Sequence, residues 1–137
     1  NKNILNQIKL HHILKNDIQT LRDNDSIQEV KQIFSTSTQE IIPVLNNENQ
    51  VVGIIYLNAI RKVIFSDFQI KFTAFREIIQ EAPVNSVTEN TGNIIKIMDE
   101  TKNPFMLLTR EKKYIGYIDK TAILEIYREN LKNLRIE

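Results

Sequence analysis

One hydrophobic pattern occurs twice in the chain, at matching spacing. The apolar runs 41–45 and 51–55 flank five polar residues, and the apolar runs 105–108 and 114–118 flank five more. An apolar run, a polar turn and a second apolar run are typical of a β-hairpin. The strands are apolar at successive positions, which favours burial of both faces. The duplication therefore predicts two copies of one small unit, each built on a hairpin.

Helical patterns of apolar residues surround each hairpin. The stripes fall within 27–34 and 57–64 in the first copy, and within 94–98 and 123–134 in the second. Short apolar stretches that predict edge strands stand before the first helix of each copy, at 18–21 and 84–87. Each copy is therefore predicted to run strand, helix, strand, strand, helix.

The predicted fold class is α/β (α+β), with two pseudo-symmetric β-α-β-β-α repeats packed sheet to sheet as one domain. The repeats superpose with Gly53 on Gly116, and a strand glycine permits a bulge or the close approach of another backbone. One copy of about 50 residues buries too little apolar surface to be stable alone, so the two are expected to share one core. The predicted segments are a leader helix or linker (1–17), repeat 1 (18–66), a junction helix (67–82) and repeat 2 with a long C-terminal helix (83–137).

Polar residues suggest how the first helix of repeat 1 begins and ends. Asp25 and Ser26 offer N-cap oxygens, and Ser26 with Glu29 has the spacing of a capping box. Ser35 and Thr36 open a run of four hydroxyl residues. We expect these hydroxyls to satisfy free backbone groups where the helix ends.

Composition excludes several classes of function. The 18 Lys and Arg nearly balance the 17 Asp and Glu, so the one-sided basic field that nucleic-acid binding needs is missing. Without cysteine, disulfides, thiolate metal sites and cysteine nucleophiles are excluded. The three glycines form no phosphate-cradling loop and there is no nucleophile elbow, so we expect no catalytic site. The longest apolar stretch, 51–57, is far shorter than a membrane helix of about 20 residues.

His11 and His12 form the one histidine pair of the sequence. Adjacent residues on a helix point about 100° apart, so the two rings converge poorly on one metal ion. We expect no metal site here and a solvent-exposed leader.

The duplicated unit resembles the paired cystathionine-β-synthase (CBS) domain, also called a Bateman module. The segments that carry the resemblance are 42–44 and 52–55 in the first copy, and 106–108 and 115–118 in the second. The lead-in at 21–27 is also similar to the strand-to-helix entry of that family. The resemblance covers nearly the whole chain and implies a regulatory module without catalytic activity.

A narrower resemblance is to the cytoplasmic CBS pair that follows the membrane domain of bacterial CLC chloride channels and transporters. It is carried by 57–65, by the junction 79–83 and by the closing segment 116–128. It implies a module at the cytoplasmic face of the cell membrane, which regulates the membrane transport domain of its parent chain by conformational coupling. It also implies a homodimer through two apolar helices, which run from Leu57 to Phe65 and from Ile123 to Leu134.

Paired CBS domains often bind adenosine nucleotides, and the resemblance implies where such a cleft would lie. The family's ribose anchor is a Thr or Ser soon after the strand glycine, with an Asp three residues later. Those positions hold Tyr56 and Ala59 in the first copy and Asp119 and Ala122 in the second, so alanine replaces the aspartate of the anchor in both. We therefore expect no cofactor, or only weak binding of AMP or ATP. A bound nucleotide would contact Ile42, Pro43, Tyr56, Phe105 and Asp119.

Two other functions stay open. The first is an adenosine-nucleotide sensor attached to another transporter or to an enzyme, which predicts measurable binding of AMP or ATP. The second is a structural dimerisation domain without a ligand. It shares the dimer prediction and lacks any regulatory effect on a parent protein.

Overall fold

The computed structural model describes residues 6–58 and 75–136, which divide into two units. The first unit takes residues 17–82, and the second takes Asn1–Asn16 together with Pro83–Glu137. The elements in chain order are α1 (Leu10–Ile13), β1 (Leu21–Arg22), α2 (Ile27–Thr36), β2 (Ile41–Leu45), β3 (Val51–Tyr56), a 3-10 helix (Phe75–Ile78), β4 (Val84–Ser86), α3 (Thr91–Thr101), β5 (Phe105–Arg110), β6 (Lys113–Asp119) and α4 (Lys120–Ile136). The predicted α/β class is confirmed, with a three-stranded sheet and helices in each unit.

The first unit is built on a sheet with the strand order β1-β2-β3. β1 runs parallel to β2 and β3 runs antiparallel to it, so the predicted edge position of β1 is confirmed. All five residues of β2 are buried, as its continuous apolar sequence predicts. The core side chains are Leu21, Val30, Ile42, Val44, Ile55 and Leu57.

The second unit repeats this topology with the strand order β4-β5-β6. Its core includes three side chains of the leader, Ile8, Leu10 and Ile13, which are at most 5% exposed. The expectation of a solvent-exposed leader is therefore wrong for its apolar face, because that face packs into this core. His11 and His12 are exposed, in accordance with the prediction. The other core residues are Ile94, Met98, Met106, Leu108, Ile118 and Ile123.

The two hairpins share one irregularity, which confirms the duplication at the level of single residues. In the first hairpin, the register shifts directly after the pair of Gly53 with Val44. In the second, it shifts directly after the pair of Gly116 with Leu108. An extra residue on one strand produces such a bulge and bends the strand locally.

The turn of the second hairpin is shorter than the sequence predicts. β5 extends through Arg110 and β6 begins at Lys113, so Glu111 and Lys112 alone form the turn. Both have positive φ, 52° and 69°, as a two-residue type I′ turn requires. The other polar residues assigned to the turn are strand residues, because the exposed end of a hairpin tolerates polar side chains.

Helix α2 begins without the predicted capping box. Ser26 is the N-cap residue, but its side chain makes no cap hydrogen bond. The Asp25 carboxylate accepts a hydrogen bond from the Arg22 N–H at 2.8 Å and closes the turn before the helix. At the other end, the Ser35 hydroxyl donates to the Gln32 carbonyl at 2.8 Å, which confirms the predicted role of the hydroxyl run.

Some predicted segments lie outside the described residues. They include most of the apolar helix at 57–65 and the first part of the junction helix at 67–82. Of the junction, the structure shows the short 3-10 helix Phe75–Ile78. The packing of one sheet against the other, and with it a core shared by both repeats, stays a prediction.

Candidate functional site

An extended segment crosses the edge strand of the first unit at Gly53. Directly after this glycine, Ile54 exchanges two backbone hydrogen bonds of 2.8 Å with Gln80. A Cβ at position 53 would lie only 2.5 Å from Ile79 Cγ2 and 2.6 Å from the Gln80 carbonyl oxygen. Only glycine allows the two backbones to approach this closely, which confirms the close approach predicted from the sequence.

The second unit has the same crossing at Gly116. Lys15 and Tyr117 exchange two backbone hydrogen bonds of 2.8 Å. A Cβ at position 116 would overlap the Lys15 carbonyl oxygen and lie 3.0 Å from Leu14 Cγ. Gly116 also has a φ of +151°, a conformation that residues with a side chain rarely adopt. This position therefore requires glycine for two separate reasons.

Each crossing segment precedes the other repeat in the sequence. Lys15 comes just before repeat 1 and pairs within the second unit, whereas Gln80 comes just before repeat 2 and pairs within the first. Hydrophobic spacing shows which face of an element is buried and not which sheet the element joins, so this exchange was not predicted. The strand glycines Gly53 and Gly116 were its only signal in the sequence.

Asp119 links three parts of the second unit. It is the last residue of β6 and directly precedes α4. Its Oδ1 accepts the Ala122 N–H at 2.8 Å, which is an N-cap bond to the first turn of α4. Its Oδ2 accepts a hydrogen bond from Lys15 Nζ at 3.0 Å, and the Lys15 and Asp119 side chains are 41% and 29% exposed. The chain itself thus binds both carboxylate oxygens and balances their charge.

The structure divides the five predicted nucleotide contacts between the two units. Ile42 and Pro43 are buried in β2, and Tyr56 is half-buried at the end of β3. Phe105 and Asp119 are directly opposite each other on β5 and β6. The register of the two hairpins places Tyr56 in the first at the position that Asp119 has in the second. Within each unit, the predicted residues are therefore neighbours.

The structure describes only one of the two alanines that replace the aspartate of the anchor. Ala59 lies outside the described residues. Ala122 lies in the first turn of α4, where its N–H donates to Asp119. A ribose hydroxyl that donated to Asp119 would share the carboxylate with both Lys15 and this N–H.

A polar cleft of about 460 Å³ in the second unit was not predicted from the sequence. It lies between the leader and the segment that enters α3, and its charged or titratable lining residues are Lys9, His11, Glu89 and Arg110. Thr91, at the first position of α3, is buried and donates its hydroxyl hydrogen to the Ile8 carbonyl. This bond fastens the leader to the helix.

The remaining candidate groups do not form a metal or membrane site in the described part of the chain. No three His, Cys, Asp or Glu side chains among residues 6–58 and 75–136 are grouped to bind a metal ion. The rings of His11 and His12 meet edge to face, with centroids 4.1 Å apart. No helix in these two ranges is long and apolar enough to cross a membrane.

Comparison with known proteins gives a family match for part of the chain. Residues 10–66 match the model of the CBS domain family. No curated protein matches the chain in sequence. Among solved structures, the CBS domain of the bacterial CNNM/CorC family Mg²⁺ transporter in complex with ATP matches with a TM-score of 0.79. It is 12% identical, and the match covers 90% of this chain and 89% of that one.

Two further structures match over nearly their whole length. A CBS domain-containing protein of unknown function from Bacillus anthracis has a TM-score of 0.75 at 17% identity, with 94% of this chain and 99% of that chain covered. A putative acetoin utilization protein (AcuB) from Vibrio cholerae has a TM-score of 0.73 at 13% identity, with 95% and 97% covered. At such identities the likeness shows the fold alone. Residues 10–66 are thus similar to a CBS domain, and the duplicated topology gives the chain the fold of a CBS pair.

Proposed function

We propose that this chain is the cytoplasmic regulatory CBS pair of a membrane transport protein, and that its parent is a CLC-type chloride channel or transporter. CBS domains are regulatory modules, and the module itself catalyses no reaction. It acts by conformational coupling, because changes in its packing bias the states of the membrane domain.

The hydrogen bonds of Asp119 are the main reason to propose regulation through packing and not through ligand sensing. Both oxygens of this carboxylate are bound within the chain, by Lys15 Nζ and by the Ala122 N–H. A ligand at Asp119 would have to share this carboxylate with a charge-assisted hydrogen bond and a helix cap, and both weaken its attraction for a further donor. Contacts between segments of the chain therefore occupy the place where a ribose would bind in the related family.

The choice of a CLC parent rests on sequence segments, above all 116–128. Within it, β6 ends at Asp119 and α4 begins at the next residue, Lys120. The shared fold with a CBS domain of the CNNM/CorC family Mg²⁺ transporter supports attachment to a transport protein more broadly.

The proposed dimer uses α4 as its main contact. Leu124 on this helix is 41% exposed and is, with Val52 and Val84, one of the exposed large apolar side chains in the described part of the chain. Leu57 and Ile123, by contrast, are 4% and 2% exposed and belong to the cores of their own units. A second copy that packs on Leu124 would remove its apolar surface from water.

Ion flux through the product of the natural reading frame tests the proposal. In proteoliposomes, Gly116→Ala is expected to change the rate of chloride flux, because it displaces the segment at Lys15. Gly92→Ala is the matched control, since a Cβ there would meet the side chains of Asn6 and Asn90 and no backbone atom of another segment. Equal flux for the wild type and both variants, or a reading frame without a membrane transport domain, would refute the proposal.

An adenosine-nucleotide sensor is the second candidate, and one observation favours it. The CBS domain of the CNNM/CorC family transporter with the same fold was solved in complex with ATP. Titration calorimetry with millimolar AMP and ATP separates the two candidates. We expect no heat of binding, because Ala122 stands where the family's anchor has its aspartate. Binding that is lost in Asp119→Ala but kept in Asp99→Ala would establish the sensor instead.

A further inference from the structure

The segment 8–15, called the leader strap below, is an integral part of the second unit. Ile8, Leu10 and Ile13 are buried in its core. The strap is fastened at one end by the hydroxyl of Thr91, which donates to the Ile8 carbonyl. At the other end, Lys15 exchanges two backbone hydrogen bonds with a residue of β6. Contacts within the second unit therefore hold the strap at both ends.

We infer that Asp119 couples this leader strap to the C-terminal helix α4, so that release of the strap loosens the start of the helix. One carboxylate makes both contacts: Oδ2 accepts from Lys15 Nζ at 3.0 Å and Oδ1 accepts from the Ala122 N–H at 2.8 Å. Each contact restrains the rotation of the same carboxylate group, so the entropy cost of ordering it is met once for both contacts.

The backbone reinforces this coupling. The two hydrogen bonds between Lys15 and Tyr117 hold the strap against β6 two residues before Asp119. If the strap leaves, Lys15 Nζ moves away and the carboxylate loses its counter-ion. The cap on α4 then rests on a carboxylate with more rotational freedom, and a cap with a disordered side chain stabilises the first turn less.

The first unit provides an internal comparison. Gln80 pairs there with Ile54 just as Lys15 pairs with Tyr117. At the position equivalent to Asp119, however, the first hairpin has Tyr56, which has no carboxylate. The coupling is therefore a property of the second unit and not a general consequence of the crossing.

The consequence is a connection between the two ends of the described chain. The strap lies near its N-terminal end, and α4 carries the exposed Leu124 that is the proposed dimer contact. A displacement of the strap would change the start of α4, and with it the surface at Leu124, through the Asp119 side chain. Because all the contacts lie within the second unit, the coupling holds or fails independently of the proposed transport function.

Hydrogen exchange of single amides, followed by NMR on the intact chain, tests the coupling. The variant Lys15→Gln removes the charge that faces Asp119, and we expect the Ala122 amide to exchange about fivefold faster than in the wild type. The control Lys9→Gln changes an exposed lysine of the same strap and should leave that rate unchanged. Lys15→Arg keeps the charge and should restore the wild-type rate.

A double-variant cycle separates coupling from simple loosening. In Asp119→Ala the cap is absent, so adding Lys15→Gln should not accelerate the Ala122 amide further. The inference is overturned if Lys15→Gln leaves the Ala122 rate at the wild-type value, or if its effect persists undiminished in the Asp119→Ala background. It is also overturned if Lys15→Arg behaves like Lys15→Gln.

Discussion

Gly116 and Lys15 lie so close that no side chain fits between them. The Lys15 carbonyl oxygen occupies the space that a Cβ at position 116 would need, and the two residues belong to segments about 100 positions apart in the sequence. The equivalent relationship in the first unit joins Gly53 to Gln80. The fold thus depends on two glycines that let a distant segment of backbone cross a strand.

Gly116→Ala should lower the free energy of unfolding by about 2–3 kcal/mol. The added Cβ must displace the Lys15 backbone, and the φ of +151° is unfavourable for alanine. Urea denaturation measures the loss. Gly92→Ala should stay within about 1 kcal/mol of the wild type, because only side chains must move there. A loss at position 116 no larger than at position 92 would contradict the proposed role of the crossing.

Gly53→Ala should also destabilise the protein, by about 1–2 kcal/mol. The Cβ would meet the Gln80 carbonyl oxygen at 2.6 Å, but this glycine lacks the positive φ of Gly116. Hydrogen exchange should be faster at the Ile54 and Gln80 amides, which bond to each other across the crossing. Unchanged exchange at both amides would show that the segment at Gln80 adjusts without releasing the strand.

Hydrophobic spacing predicted the strands of both hairpins, because their apolar runs are continuous. The predicted burial of both faces holds for β2 and for the first four residues of β5, but it is wrong for β3 and β6, where Val52 is 47% exposed and only Gly116 and Ile118 of β6 are buried. The spacing missed the length of the second hairpin turn, since Lys113 is polar and yet belongs to β6. It also missed the place of the leader. The apolar stripe through Ile8 and Ile13 shows that one face is buried, but the same stripe fits any apolar partner.

Thr91→Val should cost about 1–2 kcal/mol of stability. The buried Thr91 hydroxyl donates to the Ile8 carbonyl, and valine would keep the shape but leave that carbonyl unsatisfied. Thr121→Val is the control, because Thr121 is exposed on α4 and the same change removes no buried hydrogen bond. Thermal denaturation of both variants gives the comparison, and equal midpoints would argue that the carbonyl finds another donor.

The two helix starts should respond differently to loss of the cap residue. Asn90→Ala removes an oxygen that accepts the Asn93 N–H at 3.1 Å, and should cost about 1 kcal/mol. Ser26→Ala removes a side chain without a cap bond, and should cost less than about 0.5 kcal/mol. Both losses are measured by chemical denaturation. A larger loss at Ser26 would indicate that the sequence-based capping box forms in solution.

The candidate site was harder to predict than the caps. The resemblance directed attention to Asp119 as a ribose contact, and the residue is indeed a polar group at the end of a strand. Its actual partners, Lys15 and Ala122, are respectively 104 and 3 positions away. The local bond follows from the N-cap preference of aspartate. The distant bond depends on which sheet the leader joins, and no local pattern contains that information.

Leu124→Glu should shift the isolated chain from dimer to monomer. Leu124 is 41% exposed on α4, and a glutamate there would place a charge in the centre of the proposed contact, which should weaken the dimer at least about tenfold. Sedimentation equilibrium over a range of concentrations measures the change. Val52→Glu is the matched control, because Val52 is 47% exposed and lies on β3 of the first unit. A wild-type chain that sediments as a monomer at every concentration would refute the dimer. Equal weakening by both variants would show that the added negative charge lowers the dimer affinity wherever it is placed, and would contradict a contact at α4.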